Sequence, residues 1–150
     1  MKIEDIIKSS IPLSASKRVV LNLGYTQKVL SDQILGILKP FDISIEQFNV
    51  LRILRGQKGK PANMNLIQGR MIAKTSNTTR LVDKLLAKDF VTRKVCPNNR
   101  RKMEVGITQK GLDLLVELDP LIEKHEESLT SNLTPDELLQ LNSLLDKLRQ

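Results

Sequence analysis

Residues 74–108 read KTSNTTRLVDKLLAKDFVTRKVCPNNRRKMEVGIT, and the spacing of their apolar side chains changes halfway along. The first half opens on short hydrogen-bonding side chains and continues as an amphipathic run. This pattern predicts a helix whose first turn can reach base edges in a major groove. The second half alternates apolar and polar residues, which predicts two short strands. A helix directly followed by a basic hairpin is typical of a winged helix-turn-helix.

The hairpin is predicted from the alternation over 91–95 and again over 103–107. The seven residues between these strands, 96–102, are then a long exposed loop that carries Asn98-Asn99-Arg100-Arg101-Lys102. A loop tipped with arginines can enter a minor groove or contact phosphates.

The elements before this stretch are predicted to be helical. Helical apolar spacing covers 17–38, and Lys39-Pro40 ends that helix because proline disfavours the helical conformation in the residue before it. Ser44-x-x-Gln47 is a capping box that opens a second helix. After a Gly- and Pro-containing loop, Asn63 or Asn65 can cap a short third helix over 66–71. The fourth helix is predicted over about 77–88.

Two further helices are predicted after the hairpin. Thr108 caps the first of them, and Pro120 should kink it because proline removes a backbone hydrogen bond. Thr134-Pro135-Asp136-Glu137 combines an N-cap, a proline at the first helical position and a capping-box glutamate, so it opens the last helix.

Charge divides the chain into three parts. Residues 52–110 hold fifteen Lys and Arg against three acids, a net charge of +12. Residues 1–51 carry +1, and residues 111–150 carry −6. A basic centre between neutral and acidic ends indicates a polyanion-binding lobe carried on another structure, although a solvated basic face with no partner is the alternative.

Length and composition limit the remaining possibilities. The 150 residues suffice for one domain of ordinary size, no apolar run approaches the ~20 residues that span a bilayer, and the N-terminus lacks a secretory signal. We therefore expect a cytoplasmic protein with no membrane partner. The leucine-rich terminal helices cannot all be buried by a 60-residue centre, which favours a homodimer over a self-contained monomeric bundle.

The order of elements and two motifs resemble the MarR family of winged-helix transcription regulators. Thr79-Arg80-Leu81-Val82-Asp83-Lys84-Leu85 is similar to the recognition-helix motif of that family. Asn99-Arg100-Arg101-x-x-x-Val105-x-Ile107-Thr108-x-Lys110-Gly111 is similar to the wing motif. The resemblance covers nearly the whole chain.

The resemblance implies a mainly α fold with a small β-wing. A winged helix-turn-helix DNA-binding lobe would occupy 42–110, and dimerisation helices would occupy 1–41 and 111–150. It further implies a homodimeric repressor, with no cofactor, on a palindromic operator in double-stranded DNA. Many members release DNA when a small, often phenolic inducer enters a cleft between the lobes, and others respond to cysteine oxidation.

The chain departs from the family pattern at two positions. The usual wing aspartate is Asn99, which can hydrogen-bond but supplies no ion pair to stiffen the wing. The usual glycine between recognition helix and wing is Asp89, so a left-handed cap there would depend on the tolerance of Asp for that conformation.

The candidate DNA-binding residues fall into two groups, at the start of the recognition helix and on the wing. Ser and Thr can bond bases or phosphates, Asn can bond adenine, and Arg can bond guanine. We predict Arg101 in the minor groove, with Arg100 and Lys102 on phosphates, unless one of the two arginines folds back to brace the wing. The full set is Lys74, Thr75, Ser76, Asn77, Thr78, Thr79, Arg80, Asn99, Arg100, Arg101 and Lys102. Ordinary helix capping is the alternative role of Thr75 or Ser76, and a solvated face is an equal alternative for Lys58, Lys60, Arg70 and Lys74.

Other chemistry has weak support in the sequence. The single cysteine, Cys96, lies among cations that would favour its thiolate, but a plain wing residue is the preferred interpretation. His125 has acidic neighbours that could ligate a metal, yet a solvated helix face is preferred and no metal site is predicted. No acid–base or nucleophilic set is present, so we do not expect an enzyme. The alternative function is a winged-helix module that binds protein and not DNA.

Overall fold

The computed structural model describes residues 1–74 and 77–150. Helices α1 (Ile3–Ile6) and α2 (Ala15–Leu38) come first, and a short 3-10 turn over Lys39–Phe41 ends α2 at the predicted Lys39-Pro40 step. Helix α3 (Ile45–Arg55), strand β1 (Ala62–Asn63), α4 (Met64–Arg70) and α5 (Thr78–Ala87) follow. Strands β2 (Val91–Cys96) and β3 (Asn99–Ile107) form the hairpin, and α6 (Gln109–Thr130) and α7 (Pro135–Leu148) complete the chain.

The predicted helix starts are confirmed by their caps. Ser44 and Gln47 form a reciprocal capping box at α3, and Thr134 and Glu137 form another at α7. Of the two asparagines considered for α4, Asn63 is the cap, since its side chain accepts a hydrogen bond from the backbone N–H of Leu66 at 2.8 Å. Helix α6 runs through Pro120 without interruption.

The sheet is small, antiparallel and ordered β1-β3-β2. The prediction of a seven-residue hairpin loop over 96–102 is wrong. The strands continue to Cys96 and Asn99, which are paired, so only Pro97 and Asn98 form the turn. The extension of β3 over 99–102 could not be predicted, because these residues are all polar. Alternation of apolar residues cannot mark a strand that is exposed on both faces.

One apolar core joins the winged-helix lobe to the start of α6. Every residue of α6 that is fully buried falls between Gly111 and Ile122. Helix α2 contributes Leu38 at its end. The largest fully buried side chains include Leu38, Leu51, Leu54, Ile67, Met71, Leu85, Leu115 and Leu118. The first half of α6 therefore shares one core with α3, α5 and the sheet.

The terminal helices leave apolar side chains uncovered in the single chain. No residue of α7 is buried, and Leu141 and Leu144 keep 45 % and 55 % of their surface exposed. Helix α2 exposes Val19, Val20, Leu23 and Leu35 along its length. Among the described residues, no helix is both long enough and apolar enough to cross a membrane.

Candidate nucleic-acid interface

Helix α5 begins at Thr78 and is capped by Asn77. The Asn77 side chain accepts a hydrogen bond from the backbone N–H of Arg80 at 3.1 Å, which satisfies one of the free donors of the first turn. The capping role that the sequence offered to Thr75 or Ser76 is thus held by Asn77. Thr75 and Ser76 themselves lie outside the described residues.

The first turn of α5 divides its side chains between core and solvent. Thr78 is only 5 % exposed, and its Oγ1 is buried without a hydrogen-bond partner among the described residues. Thr79 and Arg80 are exposed, and Val82 and Leu85 continue the buried stripe. Burial turns Thr78 away from the surface that a duplex could touch, so it disfavours the predicted DNA contact of Thr78 and leaves Thr79 and Arg80 as the accessible pair.

The tip of the wing is irregular on one strand only. Val95 pairs with Met103, but the next residue, Cys96, pairs with Asn99, so β3 holds three extra residues over 100–102. Asn99 Oδ1 accepts a hydrogen bond from the backbone N–H of Arg101 at 3.0 Å, which folds the strand locally. Bulges of this kind re-aim side chains at the end of a hairpin. Here the re-aimed side chains are Arg100, Arg101 and Lys102, and all three are exposed.

The wing is braced at its base and not at its tip. Arg93 on β2 donates to Asp83 on α5, with Nη1 and Oδ1 2.6 Å apart. Within the described parts of the chain, the side chains of Arg100 and Arg101 make no such bond, so neither of them is the predicted brace. The pair was not predicted from the sequence because its residues belong to different elements. The signal was available, since Asp83 is the single acid between Asn77 and Lys88.

A compact joint connects the end of α5, the wing and the start of α6. Asp89 has φ of +59°, so an aspartate adopts the predicted left-handed conformation where glycine is usual. Thr108 Oγ1 donates to the Asp89 carbonyl at 2.7 Å, and the Thr108 N–H donates to the Phe90 carbonyl at 3.0 Å. Lys110 Nζ donates to the Lys88 carbonyl at 2.9 Å and lies 5.1 Å from the centre of the Phe90 ring.

The less specific basic residues are spread around this surface. Lys58, Lys60, Arg70 and Lys74 are exposed, as a solvated face requires. Lys74 Nζ donates to the Gly69 carbonyl at the end of α4. The structure therefore holds the Lys74 side chain against α4.

An open cleft of about 690 Å³ lies where α2 ends, α3 begins and α5 ends. Its apolar lining includes Leu35, Ile43 and Ala87, and Lys39, Lys84 and Lys88 supply positive charge. Lys88 is engaged, because its Nζ lies 3.2 Å from Asp42 Oδ2 and donates to the Asp42 carbonyl. The cleft is thus lined by both apolar and cationic side chains.

Two residues considered for other chemistry have ordinary surroundings. Cys96 is half-buried and free at the end of β2. His125 is half-buried, with Nε2 shielded and without a hydrogen-bond partner among the described residues, so the prediction that it lies on a solvated face is wrong. In the described ranges, no three His, Cys, Asp or Glu side chains are grouped closely enough to hold a metal ion.

Comparison with known proteins identifies relatives of the whole chain. The model of the MarR family matches residues 43–103, which include α3, α4, α5, β2 and the start of β3. The multiple antibiotic resistance protein MarR of Salmonella typhimurium is 30% identical over 148 residues, covering 96% of this chain and 95% of that protein.

Solved structures agree with this relationship. The crystal structure of a MarR transcription factor from Planctomyces limnophilus superimposes with a TM-score of 0.71 at 30% identity, covering 91% of this chain and 98% of that one. The organohalide-sensing regulator RdhR-CbdbA1625, in its 2,4-dichlorophenol-bound form, gives a TM-score of 0.82 and covers 91% of this chain and 80% of that one. Its identity is 15%, so it is similar in fold alone. The predicted recognition helix, the wing and the terminal helices follow one another in the family order. This chain belongs to the MarR family of transcriptional regulators.

Proposed function

We propose that this protein is a homodimeric repressor that binds a palindromic operator in double-stranded DNA through α5 and the β2–β3 wing. Thr79 and Arg80 would read or clamp the duplex from the first turn of α5. Asn99, Arg100, Arg101 and Lys102 would contact the neighbouring groove or phosphates. Asn77 would act by capping the helix, and Lys74 would add a phosphate contact.

The observation that carries this proposal is the placement of positive charge on the wing. Three consecutive cations, Arg100 to Lys102, are re-aimed by the bulge in β3, and all are exposed. Exposed Arg and Lys side chains at a hairpin tip suit phosphate contact and entry into a narrow minor groove. Because the family consists of transcriptional regulators, we propose no enzymatic role.

The uncovered faces of α2 and α7 support the dimer. Apolar side chains in rows along two helices are stabilised when a second copy covers them. A twofold dimer would also set its two α5 recognition helices one DNA turn (~34 Å) apart, which matches a palindromic operator.

The cleft between α2, α3 and α5 supports release of DNA by a small ligand. Its apolar and cationic lining residues suit an aromatic molecule with an acidic group, such as a phenolate. The relative in complex with 2,4-dichlorophenol provides a probe of that chemistry. Thermal unfolding with this probe should show a rise in Tm, and DNA binding should weaken at the same concentration.

The direct test is equilibrium binding to a duplex of about 30 base pairs taken from upstream of the gene itself, a length that holds two half-sites. Fluorescence anisotropy across a salt series should give a steep slope of log affinity against log salt, since each phosphate contact contributes roughly 0.9 units. Arg101→Ala should weaken binding and lower that slope by about one contact. Lys124→Ala, which removes an exposed charge from α6 outside the basic lobe, is the matched control and should change neither.

Unchanged affinity and slope in Arg101→Ala would remove the wing from the interface. Failure to bind any duplex, together with salt-insensitive binding to a protein partner, would instead support the protein-interaction module.

A further inference from the structure

The ion pair between Asp83 and Arg93 lies at the junction of α5 and the wing. Asp83 lies on α5, three and four residues after Arg80 and Thr79, so all three share one helix face. Arg93 Nη1 is 2.6 Å from Asp83 Oδ1, which brings the guanidinium from the wing to that same face. The pair therefore lies between the two elements that we propose to contact DNA.

Asp83 places a negative charge on this face of α5, and a neighbouring cation would offset it. A carboxylate exposed next to Thr79 and Arg80 would repel an approaching phosphate. The Asp83 side chain is 53% exposed, and that of Arg93 is 31% exposed, so both remain accessible to a ligand. The ion pair neutralises the charge of Asp83, and the cation that does so, Arg93, belongs to β2 of the wing.

The donors of Arg93 are only partly used. A guanidinium carries five N–H donors in a fixed fork. In the described residues, Arg93 makes one side-chain hydrogen bond, through Nη1 to Asp83. A carboxylate that fixes one edge of the fork leaves the other donors oriented for an oxygen acceptor, and phosphate accepts such paired donors well.

We propose that Arg93 is a phosphate-binding residue of the interface and that Asp83 is the positioning residue that holds it. This inference rests on the proposed DNA binding and adds a contact at the junction of reading helix and wing. Arg93 would bind the backbone between the groove that receives α5 and the groove that receives the wing tip.

The neighbouring residue supplies a matched control for the test. Successive side chains of a strand point to opposite faces, so Lys94 projects away from the face that carries Arg93. Lys94 pairs with Glu104 across the strands and lines a pocket with Gly59, Lys60 and Thr92. Arg93→Ala and Lys94→Ala each remove one charge from adjacent positions of the same strand.

The experiment measures the salt slope of binding to the upstream duplex for wild type, Arg93→Ala, Arg93→Lys and Lys94→Ala. We expect the slope to fall by about 0.9 in Arg93→Ala, as for one lost phosphate contact. It should stay near the wild-type value in Arg93→Lys and Lys94→Ala, and circular dichroism should verify that each variant is folded. An Arg93→Ala variant that loses affinity without a change of slope, or that matches Lys94→Ala, would overturn the phosphate contact.

The role of Asp83 is tested by Asp83→Asn in two backgrounds. With Arg93→Ala, the substitution only removes a negative charge, so affinity should rise. With Arg93 present it also releases the guanidinium, so affinity should rise less or fall. Equal effects in both backgrounds would overturn the positioning role. Wild-type protein that binds no duplex would reject the proposed function itself, which is a different result from any of these.

Discussion

Arg55 at the end of α3 and Asp119 in the middle of α6 form a bidentate ion pair. Nη1 lies 2.6 Å from Oδ2, and Nη2 lies 3.1 Å from Oδ1. The partners are 64 residues apart in the chain, so the pair fastens the winged-helix lobe to the helix that continues beyond it. Parallel bonds of this kind are more specific and stronger than single contacts between charges.

Asp119→Ala should lower the free energy of unfolding by about 1 kcal/mol. The expected effect is modest because the two side chains are 36% and 38% exposed, and solvent screens such pairs. Chemical denaturation measures it. Glu117→Ala, at an exposed site two residues earlier, is the control and should change stability little. If the two variants were equally stable, the pair would have no net effect; if the Arg55→Asp, Asp119→Arg double variant regained stability, the pairing itself would be responsible.

Gly111→Ala should destabilise the protein by about 1–3 kcal/mol, the usual cost of forcing extra volume into a packed site. A Cβ at this position would lie 2.4 Å from the Phe90 carbonyl oxygen and 2.8 Å from Ile107 Cγ1. The carbonyl belongs to the joint with Thr108 and cannot move freely. Thermal unfolding provides the measurement.

Gly69→Ala is the control for that substitution, because a Cβ there meets no atom of the described residues within 4 Å and alanine favours the helix. It should leave stability unchanged or raise it. A Gly111→Ala variant as stable as Gly69→Ala would show that the close approach to Phe90 is easily relieved.

Leu141→Glu should convert the proposed dimer to monomer. The substitution places a charge in the uncovered apolar row of α7, where a second copy would have to bury it. Sedimentation velocity at a fixed protein concentration measures the change. Gln140→Glu adds the same charge to an adjacent exposed position and should leave the assembly intact. A wild-type protein that sediments as a monomer would reject the dimer.

Stability should depend on pH through the capping box of α7. Hydrogen bonds from the backbone N–H and side chain of Thr134 lower the pKa of Glu137 from its ordinary value of 4.5. The lowered pKa means that Glu137 stabilises the fold above pH 4.5, and that this contribution is lost as pH falls through the pKa of the folded state. Denaturation of wild type and Glu137→Gln at several pH values measures it.

The stability difference between these two proteins should be largest above pH 4.5 and should vanish in more acidic solution. A constant difference for Glu137→Gln at every pH would contradict the assignment.

The parts of the fold that local chemistry determines were predictable. The capping residues and the Pro40 and Pro135 signals predicted where helices start and stop. The left-handed conformation of Asp89 was expected from the family resemblance, which places a glycine at that position. Strand alternation failed at residues 99–102, because none of them is apolar. The Asp83–Arg93 and Arg55–Asp119 pairs join separate elements, and the sequence can single out an acid such as Asp83 without showing which cation it meets across the fold. Thr78 belonged to a polar run, and only the packing of α5 shows that it is buried.

Hydrogen bonds join the end of α5 to the start of α6. Thr108 and Lys110 donate to the carbonyls of Lys88, Asp89 and Phe90. We expect a tilt of α6 to be transmitted to α5 through these bonds. Helix α5 has 10 residues. A tilt of about 10° at its fixed end would displace its N-terminus by about 2.6 Å over a length of about 15 Å. That displacement is comparable to a hydrogen-bond length, so a small rotation of α6 would move Thr79 and Arg80 out of hydrogen-bonding distance of the DNA that we propose they contact.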